Sequence, residues 1–245
     1  MTLALMLAAV QATATPQATE QWQPKPPVVT PGAGVDAMPP SDAIRLFDGR
    51  DLSQWVSVAD GKPAGWTVAG GAMTVAQGAG NIETRRRFGS YQLHLEFRIP
   101  ADVTGEGQGR GNSGLFLAST GPGDEGYELQ ILDSYRNDTY VNGQAGALYK
   151  QHAPLANPAR PPGAWQSLDV VWHPPVFAPG GTVIRPAFVT ALMNGVLVQD
   201  RAVLKGPTLY VGTPGYRPHG PSPIKLQAHG APVSFRNIWV RAIPD

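Results

Sequence analysis

Short runs in which apolar and polar residues alternate, each cut off by Gly or Pro, govern what this chain can fold into. The clearest is "YQLHLEFRI" at 91–99, where Leu93, Leu95, Phe97 and Ile99 alternate with Gln92, His94, Glu96 and Arg98. A period of two sends the two sets to opposite faces, which predicts a half-buried antiparallel strand with His94, Glu96 and Arg98 paired as ions on its polar face. "NSGLFLAS", "YELQILDS", "WQSLDVVWH", "AFVTALMNGVLVQDR", "IKLQAHG" and "VSFRNIWVRAI" repeat the pattern. "WTVAGGAMTV" (66–75) reads as two strands around a Gly-Gly turn, and Asn194-Gly195 between apolar runs is a strong hairpin signal. No window sustains a helical period with caps. With 29 Gly and 25 Pro spread along the chain, tight turns are plentiful. The expectation is an all-β fold: a two-sheet antiparallel β-sandwich, with one outer face curving into a groove.

The bulk properties exclude several classes of function. A net charge of +1 gives no field to draw nucleic acid or an anionic membrane. The absence of cysteine rules out disulfides and thiolate metal sites. At the N-terminus "LALMLAAV" (3–10) is followed by Ala12-Thr13-Ala14, an A-x-A cleavage pattern, and the apolar run is too short to span a bilayer. Residues 1–14 are therefore expected to be a signal peptide, and the mature chain to be periplasmic or secreted with no membrane span. Residues 15–42, rich in Pro, Gln and Thr, read as an extended, weakly ordered spacer. The domain is expected over 43–245.

In "YELQILDS", Tyr127, Leu129 and Ile131 point one way, Glu128 and Gln130 the other. Strict alternation sends Asp133 toward the core, where a lone carboxylate is costly, so a β-bulge near Leu132 is expected to return it to the polar face. The laminarinase and lichenase glycosidases carry E-x-D-x-x-E on such a strand. Here the pattern is Glu128-x-Gln130-x-x-Asp133, without the middle acid and with the last one shortened. A retaining mechanism needs two carboxyl groups about 5–5.5 Å apart, which this set serves poorly.

A fuller resemblance runs through "LFDGRDLSQW" (46–55), "NSGLFL" (112–117), "YELQILDS" (127–134) and "GALYKQHAP" (146–154). It continues through "GAWQSLDVVW" (163–172), "MNGVLVQD" (193–200), "IKLQAHG" (224–230) and "FRNI" (235–238). In that order these segments resemble the 3-keto-disaccharide hydrolase domain family. Two departures stand out: "VFAPGGTVIRPAF" lengthens the hairpin before the Asn-Gly turn, and Ala228 stands where an acid is common. The resemblance implies a concanavalin A-like jelly roll acting on oxidised sugars. A ketone at C3 acidifies the C2 proton. A base can then remove it, the C1 substituent is expelled, and water adds back. Such a site needs one base and donors aimed at the enolate oxygen, not a retaining pair.

On this reading the catalytic candidates are Glu128, Asp133, His152 and His229, and Glu128 is the favoured base. Arg110, Asn112, Gln130, Tyr149, Lys150 and Gln227 are the candidates for holding the carbohydrate. No cofactor is demanded by the residues. His, Asp and Glu suffice for a divalent ion such as Ca²⁺, but no spacing specifies one. The nominal G-x-G-x-x-G within "GEGQGRGNSG" lacks a following helix and reads as a loop at the groove rim. Two rivals stand: a carbohydrate-binding module with Trp55, Trp66, Tyr127, Tyr149 and Tyr216 as its stacking platform, and a conventional glycosidase.

Overall fold

The structure, a computed structural model, describes residues 15–31, 35–36 and 38–244. The expected signal peptide at 1–14 lies outside the described residues. Among the described residues, no helix is long and apolar enough to cross a membrane.

The domain opens with β1 (Ile44–Phe47), β2 (Trp55–Ser57), β3 (Thr67–Ala69), β4 (Ala72–Thr74) and β5 (Ile82–Thr84). The long β6 (Tyr91–Arg98) leads to β7 (Ser113–Ser119), β8 (Gly126–Ile131) and β9 (Gln166–His173). Then come β10 (Val176–Phe177), β11 (Val183–Arg185), β12 (Phe188–Met193) and β13 (Val196–Val203). β14 (Lys225–Leu226) and β15 (Ser234–Ala242) close the fold. One sheet has eight strands in the order β13-β12-β9-β6-β15-β4-β3, with β1 also on β15. The other has five, β2-β5-β14-β7-β8, and β10-β11 form a separate two-stranded ribbon. The expected antiparallel β-sandwich is what forms.

Its core is the apolar half of each alternating run. Leu93, Leu95 and Phe97 of β6 face Leu115 and Leu117 of β7 and Tyr127, Leu129 and Ile131 of β8 in a single cluster. Burying each such side chain stabilises the fold by roughly 1.5–3 kcal/mol. One polar group that enters the core is satisfied across it: the Tyr91 hydroxyl of one sheet donates to Leu117 O of the other at 2.7 Å. The Asn194-Gly195 hairpin closes β12 on β13, both residues at positive φ (53° and 78°), as a two-residue turn of this hand requires.

Two expectations need correction. On the polar face of β6, Arg98 packs over the Trp165 ring and not in the expected ion pair, while His94 and Glu96 pair as expected but are buried, not open to water. Asp36 from the N-terminal segment, Trp239 and Arg236 cover them. The second concerns the N-terminal spacer, which is extended but far from loose. Asn142 accepts from Gln21 N–H at 2.9 Å and donates to Thr19 O at 2.8 Å. Lys150 Nζ donates to Pro16 O at 2.6 Å, and Val29 N–H donates to Asn157 O at 3.1 Å. Residues 16–29 thus form a strap laid across the loops that follow β8. The inserted ribbon β10–β11 sets Phe177 against Tyr216 and His219 and leaves the groove described below untouched.

Candidate active site

The outer face of the five-stranded sheet carries a cleft of about 520 Å³. Its floor is the polar half of the strands: Glu128 and Gln130 on β8, and Gln227 one residue beyond β14. Two loops cap the free edge of β8 and supply the walls. Residues 146–149 run alongside it, with Gln130 N–H donating to Ala147 O at 2.9 Å and Tyr149 N–H donating to Glu128 O at 3.1 Å. From the other end Glu128 N–H donates to Thr208 Oγ1 at 3.0 Å, and Thr208 N–H to Gly126 O at 2.7 Å. Tyr149 is thereby brought beside Glu128 by a backbone bond independent of its own side chain, whereas Thr208 is held there by both its backbone and its hydroxyl.

Glu128 is the electrostatic centre of the cleft. Its side chain is buried, and among the described residues no donor reaches its carboxyl group. Burial raises its pKa to about 8, the negative charge of Asp124 adding to the effect and the cation of Lys225 partly offsetting it. Gly114 makes the position possible. A β-carbon there would stand 2.6 Å from Glu128 Oε1 and 3.3 Å from Gln227 Oε1, so both side chains converge over bare backbone.

Around the acid lie amides with spare capacity. Gln130 Nε2 donates to Gln108 Oε1 (3.1 Å) and Asn112 Oδ1 (3.3 Å), while Gln108 Nε2 is held by Thr139 Oγ1 (3.0 Å) and Gly143 O (2.9 Å). Gln130 Oε1 and Gln227 Oε1 are buried without a partner. Leaving a buried acceptor empty costs about 1–3 kcal/mol, which a ligand hydroxyl can recover. Opposite, the Tyr140 and Tyr149 hydroxyls share a 2.6 Å hydrogen bond. That bond uses one of their two protons and leaves the other free to donate. Burial pushes the Tyr140 pKa up to about 12 despite its bond to Tyr149. Tyr149 is raised further, by burial first and then by Tyr140 and the charge of Glu128. Both therefore stay protonated.

The remaining candidates divide. Asn112, Gln130, Tyr149 and Gln227 meet Glu128 in the cleft, and His229 stands exposed at its rim. Asp133 does not come to the cleft. β8 ends at Ile131 without the expected bulge, and its register irregularity falls instead at the start of the strand, opposite residues 116–119 of β7. Buried Asp133 then pairs with Arg110 Nε at 2.7 Å and accepts from Tyr135 N–H at 3.0 Å, a structural arrangement that also removes Arg110. His152 lies outside the cleft lining, its Nε2 2.8 Å from Val203 O. Lys150 sits behind the tyrosine wall, its ammonium 4.7 Å from the Tyr210 ring centre and 5.4 Å from that of Tyr140. Of the five aromatics proposed as a stacking platform, Trp55, Trp66 and Tyr127 are core residues. Among the described residues, no three His, Asp or Glu side chains converge as a metal site would require.

Glu20, Gln108, Asp124, Tyr140, Thr208 and Tyr210 also line the cleft. Asp124 lies in the turn before β8, where strand parity does not reach. The others come from aperiodic segments with nothing local to mark them.

Comparison with known proteins follows the same lines. Residues 42–241 match the sequence model of the 3-keto-alpha-glucoside-1,2-lyase-like domain family. A protein of Parabacteroides distasonis provisionally named a glycosyl hydrolase is 44% identical, with 97% of this chain and 100% of that one aligned at a TM-score of 0.80. A second protein of that organism under the same provisional name is 20% identical. It aligns over 81% of this chain and 93% of its own, at a TM-score of 0.59, and speaks for the fold alone. No curated protein matches the chain significantly.

Proposed function

From the premise that this chain belongs to the 3-keto-alpha-glucoside-1,2-lyase-like domain family, we propose that it cleaves 3-keto-glycosides, with Glu128 as the base. The observation that carries this reading is a buried, unpaired carboxyl group facing a cleft lined with empty hydrogen-bond acceptors. A carboxylate with its pKa near 8 is a far stronger base than one in water, yet a usable fraction is ionised at neutral pH.

Each step balances. Glu128 takes the C2 proton, and the C2–H electrons form the C2=C3 enolate with its charge on the C3 oxygen. The free hydroxyl proton of the Tyr140–Tyr149 pair stabilises that oxygen. The enolate then re-forms the ketone, a C1=C2 bond is made and the C1–O bond breaks. The departing oxygen takes up the proton held by Glu128. Water adds to C1 and a proton returns to C2, giving the free 3-keto sugar and the released alcohol. Gln130, Gln227 and Asn112 hold sugar hydroxyls throughout. Export to the periplasm or beyond belongs to the same reading.

The test is to incubate the purified protein with matched glucosides and their 3-keto forms. Turnover of only the keto substrate upholds the reading. Turnover of the unoxidised glucoside would favour a conventional glycosidase instead. Binding without product would sink both.

A further inference from the structure

The strap and the loop before β8 each bring to the cleft a carboxylate that the chemistry above does not use. Glu20 is held by its neighbours: Thr19 O and Gln21 N–H are both bonded to Asn142, and Gln21 O accepts from Val141 N–H. Asp124 is fixed by Asn81 Nδ2, which donates to its Oδ1 at 2.8 Å and to Gly123 O at 3.0 Å.

Among the described residues, no Lys or Arg forms an ion pair with either at the cleft surface, and the buried ammoniums of Lys150 and Lys225 act on Glu20 and Asp124 only through space. No Lys or Arg among the described residues lines the cleft. The ammonium of Lys225 is buried beneath the floor and spent on Gly121 O, Gly123 O and Glu125 O at 2.8–3.1 Å. Lys150 is spent on Pro16 O and Tyr210 O, and Arg110 on Asp133. A separate observation points the same way. The unpartnered buried atoms in the floor, Gln130 Oε1 and Gln227 Oε1, are both acceptors. They can take hydroxyl or ammonium protons but can offer nothing to a carboxylate or phosphate, which brings only acceptors.

We propose that Glu20 and Asp124 act as a charge filter, so that the cleft admits neutral and cationic 3-keto sugars and rejects those carrying a carboxylate or phosphate. This rests on the cleft being the 3-keto-glycoside site, and it deepens that reading by naming the substrate class. The strap is then part of the binding site, because it alone delivers Glu20.

The test compares a 3-keto-glucoside, the 3-keto-glucuronide with the same aglycone, and the 6-amino-6-deoxy analogue. The neutral substrate should exceed the anionic one in kcat/KM by on the order of a hundredfold at low salt, about tenfold for each carboxylate. Glu20→Gln and Asp124→Asn should each cut that ratio about tenfold. The wild-type ratio should also shrink at about 0.5 M salt, where exposed charges are screened, a readout that needs no variant. Neutral and anionic substrates within about threefold of each other at low salt would overturn the filter and leave the proposed chemistry standing. If no keto-glycoside is turned over, the proposed chemistry fails instead. The filter is then read by calorimetry on the unoxidised glucoside and glucuronide. Weaker glucuronide binding that recovers in Glu20→Gln upholds it; equal affinities, or no binding of either, overturn it.

Discussion

Glu96 and Glu128 are buried glutamates on the outer faces of the two opposed sheets, and their surroundings treat them in opposite ways. Glu96 is saturated: Asp36 N–H reaches it at 2.6 Å, Arg236 Nε at 2.8 Å and Asn237 Nδ2 at 3.0 Å, with His94 Nε2 at 3.4 Å. Burial alone would raise its pKa, but those partners outweigh burial and hold it down to about 2. Glu128 has the burial without the partners and goes up to about 8. A buried acid that is fully paired holds structure together. One left unpaired at the floor of a cleft is kept reactive at a cost in stability.

The largest effect should come from Glu128→Gln, which removes the base but keeps the shape. Turnover should fall by roughly a thousandfold or more, while the urea midpoint holds or rises because an unpaired buried acid is gone. A loss of stability in step with activity would put Glu128 in the same class as Glu96. The converse variant, Glu96→Gln, leaves Arg236 and His94 facing a neutral amide. It should cost about 3 kcal/mol in urea unfolding, with turnover of the folded protein within about twofold of wild type.

Gly114→Ala sharpens the contrast from the backbone side. The new methyl meets the flexible end of Glu128, so the fold should lose only about 1–3 kcal/mol, but the displaced base should cost roughly a hundredfold in kcat. A further signal is in pH. Below its folded value Glu128 binds a proton that the unfolded chain has already lost, so its contribution to stability falls as pH rises from about 4.5 to about 8. Glu96 does the reverse, and its contribution is lost only as pH drops from about 4.5 toward 2. His94, raised to about 9 by Asp169 and Glu96 against its burial, loses its own contribution between about 6.5 and 9. Subtracting the Glu128→Gln profile from wild type between pH 5 and about 8 isolates the Glu128 part.

The comparison also shows how far the residues alone could carry the reading. Period-two alternation located the strands, and parity set Glu128 and Gln130 on the face away from Tyr127, Leu129 and Ile131, because side-chain direction in a strand is a local property. The same rule could not say that Asp133 lies beyond the end of β8, since strand ends depend on the neighbouring strand. Nor could it say which polar face would be covered. Glu96 and Glu128 look alike in the sequence, and only the cover of Asp36, Arg236 and Asn237 over one and the loops around the other distinguish them. Trp55, Trp66 and Tyr127 illustrate the limit from the apolar side: an aromatic suited to stacking on sugar is equally suited to filling a core, and here the core takes them.

The most direct test of Glu128 as the base follows the C2 proton itself. With a 3-keto-glycoside in D₂O, proton NMR should show wild-type protein accelerating loss of the C2–H signal over the spontaneous rate. That exchange should quicken as pH rises to about 8, and Glu128→Gln should return it to background. Full exchange in the Glu128→Gln protein, or cleavage with the C2 proton retained in the product, would contradict the account.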